Sequence, residues 1–256
     1  MAKNKSFIIF VLAMVAYSTY ALDLVWEDHF SGDSLNKSRW TFEIGNVGGN
    51  HEMVYYTDRP SNCFVKDGQL YLQALKENYG GQPYTSCRIV TKDKCEWRFG
   101  RFEASIKLPK GRGLWPAFWM MPHTRNWPRD GEIDIMENLG QDMSTAYTTI
   151  HYGSSWQDHH SKGASYKLDS PHTFDDGFHL FRVDWYDGYL VFAIDDNFVF
   201  SINKNQIEQT QWWPFSANDF FFILNLAVGG DWPGPPDEKT QFPAQMIVDF
   251  VRVYKF

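Results

Sequence analysis

Three carboxylic acids, Glu132, Asp134 and Glu137, lie within the short segment 131–138. Like charges crowded on one face of a strand are unfavourable unless they have partners or a task. Retaining glycosidases provide such a task, since they use two carboxyls about 5–5.5 Å apart as nucleophile and acid/base. A third carboxyl can hydrogen-bond the nucleophile and separate the pKa values of the pair. The alternative is a solvated polar face of a strand.

The spacing of these acids requires an irregular strand. Side chains alternate along a strand, so Glu132 and Asp134 share a face, whereas a regular strand would point Glu137 the opposite way. One extra residue, a β-bulge near Ile135 and Met136, would return Glu137 to the face of the other two. We therefore predict a bulged strand that aims all three carboxyls in one direction.

A period of two residues extends over most of the chain. Phe102, Ala104 and Ile106 alternate with polar residues, which predicts a half-buried strand. Residues 181–195 predict a hairpin with a tight Asp187-Gly188 turn. No stretch has the pattern of a long amphipathic helix, although residues 202–209 suit one short helical turn. We predict one all-β domain: a jelly-roll sandwich of two stacked antiparallel sheets with a concave substrate cleft.

Aromatic residues are unusually abundant, with 11 Trp, 13 Tyr and 21 Phe. Trp115 and Trp119 are four positions apart on a predicted strand and therefore share a face just before the acids. Trp127 lies closer still. The flat C–H faces of pyranose rings pack on aromatic planes, so these residues indicate a sugar-binding surface. Core packing is the alternative for each of them.

The first residues resemble an export signal. Lys3 and Lys5 precede an apolar run at residues 7–16, which is too short to span a bilayer, and small residues precede Leu22. We expect a signal peptide at 1–21, a mature domain at 22–256 and a secreted, extracellular, monomeric protein. A membrane anchor is the alternative. The net charge of −7 without basic clusters argues against nucleic acid or anionic membranes as partners.

The chain has three cysteines, Cys63, Cys87 and Cys95. An exported chain meets oxidising conditions, so one disulfide is expected. Cys87 and Cys95 flank a predicted turn and are the preferred pair, with Cys63 free or a different pairing as the alternative. Asn36 begins a glycosylation sequon, usable where the source organism glycosylates.

The order of several motifs resembles glycoside hydrolase family 16, in its laminarinase-like branch of endo-β-1,3-glucanases. The resemblance covers nearly the whole mature chain. It rests on the acid cluster together with residues 25–30, 84–89, 100–103, 108–119, 150–152, 178–179, 225–234 and 248–254. It implies a concanavalin-like jelly roll, with Glu132 as nucleophile, Asp134 as its hydrogen-bonded helper and Glu137 as acid/base. The residue inserted at Met136 is similar to the laminarinase branch rather than the lichenase branch.

The same resemblance implies a set of sugar contacts from aromatic, amide, charged and imidazole side chains. They are Asn50, Glu52, Arg88, Trp115, Trp119, His151 and Trp232. For His151 a core histidine is the alternative. The family also implies a structural calcium away from the cleft. Asp249 keeps one matching position, but His29 replaces a glutamate at the other and argues against the ion. No cofactor is expected for catalysis, and the adjacent His159 and His160 are expected in a solvent-exposed loop.

The resemblance predicts a retaining enzyme acting on β-glucan, with several alternatives. Some relatives are non-catalytic glucan-recognition proteins, but these lack the catalytic acids. An endo-1,3(4)-β-glucanase with mixed-linkage activity stays open, as does a transglycosylase. A sulfated galactan is disfavoured because the chain is acidic and has no basic cleft motif.

Overall fold

A computed structural model of the protein describes residues 22–207 and 212–256. The predicted signal peptide at 1–21 lies outside the described residues. The described chain forms strands connected by turns and two short 3₁₀ helices, at Trp156–Asp158 and Lys204–Gln206. Within these residues no helix has the length and apolar character needed to cross a membrane.

Seventeen strands are present in the described residues. In chain order they are β1 (Asp23–Asp28), β2 (Thr41–Phe42), β3 (Val54–Tyr56), β4 (Cys63–Lys66), β5 (Gln69–Tyr79), β6 (Gln82–Ser86), β7 (Arg88–Val90), β8 (Gly100–Lys107), β9 (Leu114–Pro122), β10 (Glu132–Asn138), β11 (Thr145–Gly153), β12 (His159–Lys167), β13 (His179–Tyr186), β14 (Tyr189–Ile194), β15 (Asn197–Asn203), β16 (Phe220–Val228) and β17 (Ala244–Lys255).

The strands form two stacked sheets, as the alternating pattern predicts. The outer sheet has ten strands, in the order β15-β14-β13-β8-β17-β5-β6-β3, with β1 on β17 and β4 on β5. The cleft sheet has seven, in the order β12-β11-β10-β9-β16-β7-β2. One pairing, β3 with β6, is parallel, whereas the prediction was antiparallel throughout. The acid-bearing strand β10 therefore lies inside its sheet, between β9 and β11.

The core fills the space between the sheets. Phe102, Ala104 and Ile106 of β8 are fully buried, as predicted, but Glu103 and Ser105 on the opposite face are buried as well, so the strand is more than half-buried. The ring of Phe102 meets that of Phe222 from β16 edge to face, with centroids 5.9 Å apart, so the two sheets touch directly. All nine residues of β16 are buried, and on its second face Phe221 and Ile223 pack with Val90 and Met121.

The predicted hairpin is present as β13 and β14, joined by Asp187 and Gly188. Gly188 has a φ of 86°, a conformation that a glycine adopts without steric cost. The next turn uses Asp195 and Asp196, both with positive φ. The helical turn expected at 202–209 is confined to Lys204–Gln206 in the described residues.

The predicted Cys87–Cys95 disulfide is wrong, since all three cysteines are free thiols. The chain does turn between the two, with the Cys95 N–H donating to the carbonyl of Thr91. However, this turn carries Cys95 to the indole of Trp26, whereas the buried Cys87 thiol contacts Cys63. Burial raises the pKa of the Cys87 thiol well above its usual range.

The glycosylation sequon lies on the surface. Asn36 is exposed, and its side-chain oxygen accepts hydrogen bonds from the backbone and hydroxyl of Ser38. The side chain is therefore accessible, and its modification stays a prediction.

Replacing Trp185 with phenylalanine should lower the free energy of unfolding by about 2–4 kcal/mol. Trp185 is fully buried, and its indole N–H donates to the Phe215 carbonyl at 2.9 Å, so the change leaves a buried acceptor unpaired and opens a cavity. Phe198→Ala, at a side chain 65% exposed, should cost less than about 0.5 kcal/mol. Urea denaturation of both variants measures this, and equal losses would contradict the packing described.

Candidate active site

The predicted β-bulge is present in β10. Asp134 pairs with Trp119 of β9, and the next paired residue is Met136, so Ile135 is the extra residue. Pairing with β11 shifts at the same place, between Asp134 and Glu137. Ile135 and Met136 are both buried, as expected where alternation fails. Glu132, Asp134 and Glu137 consequently line one cleft.

This cleft lies on the cleft sheet and has a volume of about 300 Å³. Besides the three acids it is lined by Val47, Gly49, Asn50, Glu52, Arg88, Trp115, Ala117, Trp119, Met121, Arg125 and Asn225. Five of the seven predicted sugar contacts are therefore in its wall. The other two, His151 and Trp232, lie beside it, against Asp134 and Trp115 respectively.

The three carboxyls are in an environment that disfavours charge. Burial, and then Asp134, raise the pKa of Glu132 to about 8. Burial, and then Glu132, raise the pKa of Glu137 to about 7. Asp134 is only 3% exposed, and burial raises its pKa well above the usual range. Three carboxyls this close cannot all be ionised, so the cluster retains protons near neutral pH.

Each glutamate has its own hydrogen-bond donor. The Trp115 indole N–H donates to Glu137 at 3.0 Å, and the Trp127 indole N–H donates to Glu132. Both bonds favour the ionised carboxylate and lower its pKa. Glu132 also shares a hydrogen bond with Asp134, which requires a proton on one of the two. Glu132 and Asp134 therefore share one proton.

A pair of histidines extends from the acids toward one end of the cleft. His151 Nε2 lies 3.1 Å from Asp134, and His151 Nδ1 lies 2.8 Å from His159 Nε2. Their rings are stacked, and Trp127 contacts both. Burial lowers the pKa of His159. The exposed loop expected for His159 and His160 is wrong, since both lie in strand β12, where His159 is exposed with its Nε2 facing His151 and His160 is half-buried.

On the other side of β10, an ion-pair network orients Arg88. Its Nε donates to Glu43 at 2.7 Å, and its guanidinium lies over the Trp119 ring, 4.9 Å from the centroid. Arg125 pairs with the same carboxylate. Burial opposes ionisation of Glu43, but Arg88 and Arg125 hold its pKa below the usual range. Glu43 and Arg125 were not predicted, because nothing in their own segments indicates the cleft.

A second network of polar side chains lies around Asn225 of β16 and Tyr56 of β3. The Trp119 indole donates to Asn225 at 2.7 Å, and the Tyr56 hydroxyl donates to Glu52 at 2.7 Å. Burial raises the pKa of Glu52. Asn50 is exposed at the rim, with a φ of 59°. These side chains are held in place before any ligand arrives, which reduces the entropic cost of binding.

Two groups of side chains in the described residues bring three potential metal ligands together. They are Glu132 with Asp134 and His151, and Asp93 with Glu96 and His123. The first coincides with the acid cluster, whose carboxyls retain protons near neutral pH.

The residues at the calcium position of the family do not fit that ion. Asp249 is the extra residue of a bulge in β17, in the outer sheet. His29 Nε2 lies 2.9 Å from the Glu27 carboxylate and 3.4 Å from the Arg252 guanidinium. Calcium takes oxygen ligands, and the imidazole of His29, which lies beside Arg252, supplies none.

Comparison with known proteins agrees with this geometry. The sequence model of Glycosyl hydrolases family 16 matches residues 50–251. The structure of an endo-β-1,3-glucanase from Pyrococcus furiosus superposes with a TM-score of 0.84 at 41% identity, covering 92% of this chain and 95% of that one. A glucan endo-1,3-beta-glucosidase of Cryptopygus antarcticus is 39% identical over 88% of this chain and 87% of its own length.

A beta-glucanase of Rhodothermus marinus is 36% identical, over 91% of this chain and 85% of its own length. The chain therefore belongs to glycosyl hydrolases family 16, as a glycoside hydrolase similar to endo-β-1,3-glucanases.

Glu137→Gln should stabilise the protein at alkaline pH but not at acid pH. Burial raises the pKa of Glu137 from 4.5 to about 7, so its contribution to stability is lost as pH rises through that window. A neutral amide avoids this loss. We expect the Tm difference from the unaltered protein to grow between about pH 4.5 and pH 7 and to level off above that range. The exposed Glu238→Gln is the control, and a pH-independent difference for Glu137→Gln would contradict the account.

Proposed function

We propose that this protein is a secreted, retaining endo-β-1,3-glucanase that hydrolyses laminarin-type β-1,3-glucans. The observation that carries the proposal is the bulge at Ile135, which brings Glu132 and Glu137 into one cleft around Asp134. The substrate class is supported by the names of the Pyrococcus furiosus and Cryptopygus antarcticus proteins. Secretion is supported by the export pattern of residues 1–21.

In the first step, protonated Glu137 gives its proton to the glycosidic oxygen while ionised Glu132 attacks the anomeric carbon. The bond to the leaving sugar breaks, and an ester forms between the remaining glucan and Glu132. Because burial raises the pKa of Glu137 to about 7, this residue can hold a proton under mildly acidic to neutral conditions.

In the second step, ionised Glu137 takes a proton from water, whose oxygen attacks the same anomeric carbon. The ester breaks, Glu132 leaves as a carboxylate, and the product keeps its anomeric configuration. Two inversions at one carbon account for the retention.

Burial raises the pKa of Glu132 to about 8, above that of Glu137, so Glu132 can attack only if Asp134 takes the proton that the two share. We place their shared proton on Asp134 in the reactive form, because Asp134 is the more deeply buried of the two. It then donates a hydrogen bond to the Glu132 carboxylate. The Trp127 N–H donates to the same carboxylate and so favours its ionised state further.

The glucan chain lies across β10. On the β9 and β16 side, Trp115 and Trp119 provide aromatic faces, while Arg88, Asn50 and Glu52 can hydrogen-bond sugar hydroxyls. Arg88 is already fixed by Glu43 and by stacking on Trp119. His151, beside Asp134, lies toward the opposite half of the cleft, where the leaving group departs.

A glucan-recognition protein without catalysis is the alternative from another class, and the presence of all three acids in one cleft argues against it. Mixed-linkage activity is the second candidate, since the Rhodothermus marinus relative is called simply a beta-glucanase. Rates on laminarin, lichenan and carboxymethyl-cellulose, run side by side, distinguish these. The proposal expects laminarin to be the best substrate.

Glu132→Gln should reduce the rate of laminarin hydrolysis by about 10³-fold or more, because the amide cannot form the covalent ester. Binding of laminarin oligosaccharides should persist, since the cleft wall is unchanged. Reducing-sugar release and calorimetric titration measure the two effects. Glu238→Gln is the matched control at an exposed position, and near-normal turnover by Glu132→Gln would overturn the assignment.

Trp115→Phe should move the alkaline limb of the pH profile of kcat/KM to higher pH. The indole N–H of Trp115 stabilises ionised Glu137, so its removal raises the pKa of Glu137 and keeps the acid protonated longer. The aromatic face is kept for sugar contact. Initial rates on laminarin between pH 5 and pH 9 test this, and a limb that stays or moves to lower pH refutes the role of Trp115.

A further inference from the structure

The floor of the cleft continues past the acids onto β11 and β12. Glu132, Asp134 and Glu137 pair with His151, Thr149 and Tyr147 of β11. These three are half-buried and alternate with buried residues, so they share the face of the acids. Across from them on β12 are exposed small residues, Ser161, Gly163 and Ser165.

Gly163 leaves this part of the cleft floor without a projecting side chain. A Cβ atom there would lie 2.2 Å from the Thr148 carbonyl oxygen, so the position cannot take a side chain without movement of the backbone. The result is a shallow, polar track beside the catalytic strand. It differs from the opposite half of the cleft, where Arg88, Glu52 and Asn225 form a walled pocket.

Trp156 stands at the end of this track. Its side chain is 72% exposed, more than any other large hydrophobic residue in the described chain. It rests against Trp127, with ring centroids 4.2 Å apart. Trp127 also contacts His159 and donates to Glu132. Only the Trp127 ring therefore lies between Trp156 and Glu132.

The loop that carries Trp156 is fixed by its own hydrogen bonds. The backbone N–H and hydroxyl of Ser154 donate to the Asp158 carboxylate at 3.0 and 2.6 Å. Asp158 also lies 2.9 Å from the ring nitrogen of His160, and the Ser154 bonds lower its pKa to about 2. The loop therefore holds an exposed indole in a set position without burying it. An aromatic ring held this way can bind a sugar at low entropic cost.

We propose that Trp156, supported by Trp127, is a stacking platform for glucose residues on the leaving-group side of the scissile bond. This inference rests on the proposed function. The sugars that remain esterified to Glu132 must be held through both chemical steps, which suits the walled pocket. The sugars that leave must be released after the first step, which suits a shallow track with one aromatic face.

Trp156→Ala tests the platform when two substrates are compared. Laminarin has sugars on the leaving-group side, whereas laminaribiosyl fluoride has only fluoride there. We expect kcat/KM on laminarin to fall about tenfold and kcat/KM on the fluoride to stay within about twofold. Trp156→Phe should restore most of the loss, and Phe198→Ala, an exposed aromatic on the outer sheet, should change neither substrate.

Equal losses on the two substrates, or no loss on laminarin, would overturn the platform. Titration of laminarihexaose into Glu132→Gln, with and without Trp156→Ala, separates the two levels of inference. If the unaltered protein hydrolyses neither substrate but Trp156→Ala still weakens laminarihexaose binding, the proposed function fails and only the glucan-binding role of Trp156 stands. Unchanged binding in that titration would count against the platform itself.

Discussion

Side chains on a β-strand alternate between its faces, and this constraint governs the whole site. Glu132 and Glu137 are five residues apart and would point to opposite sides of a regular strand. The bulge at Ile135 resolves the conflict, since it buries Ile135 and Met136 together and returns Glu137 to the cleft. The cleft sheet holds this irregular strand between β9 and β11.

The bulge also creates an electrostatic cost that the fold must accommodate. Three carboxyls on one buried face repel one another, and burial raises their pKa values. Trp115 and Trp127 each direct an N–H at one glutamate. We expect the same crowding to destabilise the folded protein as pH rises, and in the proposed mechanism it keeps a proton on Glu137 near neutrality.

The bulge, the hairpin and the all-β fold could be predicted because each depends on local spacing. The state of the cysteines could not, because the contact of the Cys87 thiol with Cys63 rather than with Cys95 arises only in the folded chain. Arg125 and Glu43 were likewise beyond prediction, as they meet Arg88 only through tertiary packing. The position of Trp127 near the acids is visible in the sequence, whereas its contacts with Glu132 and Trp156 form only in the folded chain.

The proposed mechanism requires that Glu132 becomes esterified. The most direct measurement is to incubate the protein with a 2-deoxy-2-fluoro laminaribiosyl fluoride, which slows the second step, and to map the labelled peptide by mass spectrometry. A single added disaccharide on the peptide carrying Glu132 is the predicted result. A label on Glu137 or Asp134, or hydrolysis with inverted anomeric configuration, would contradict it.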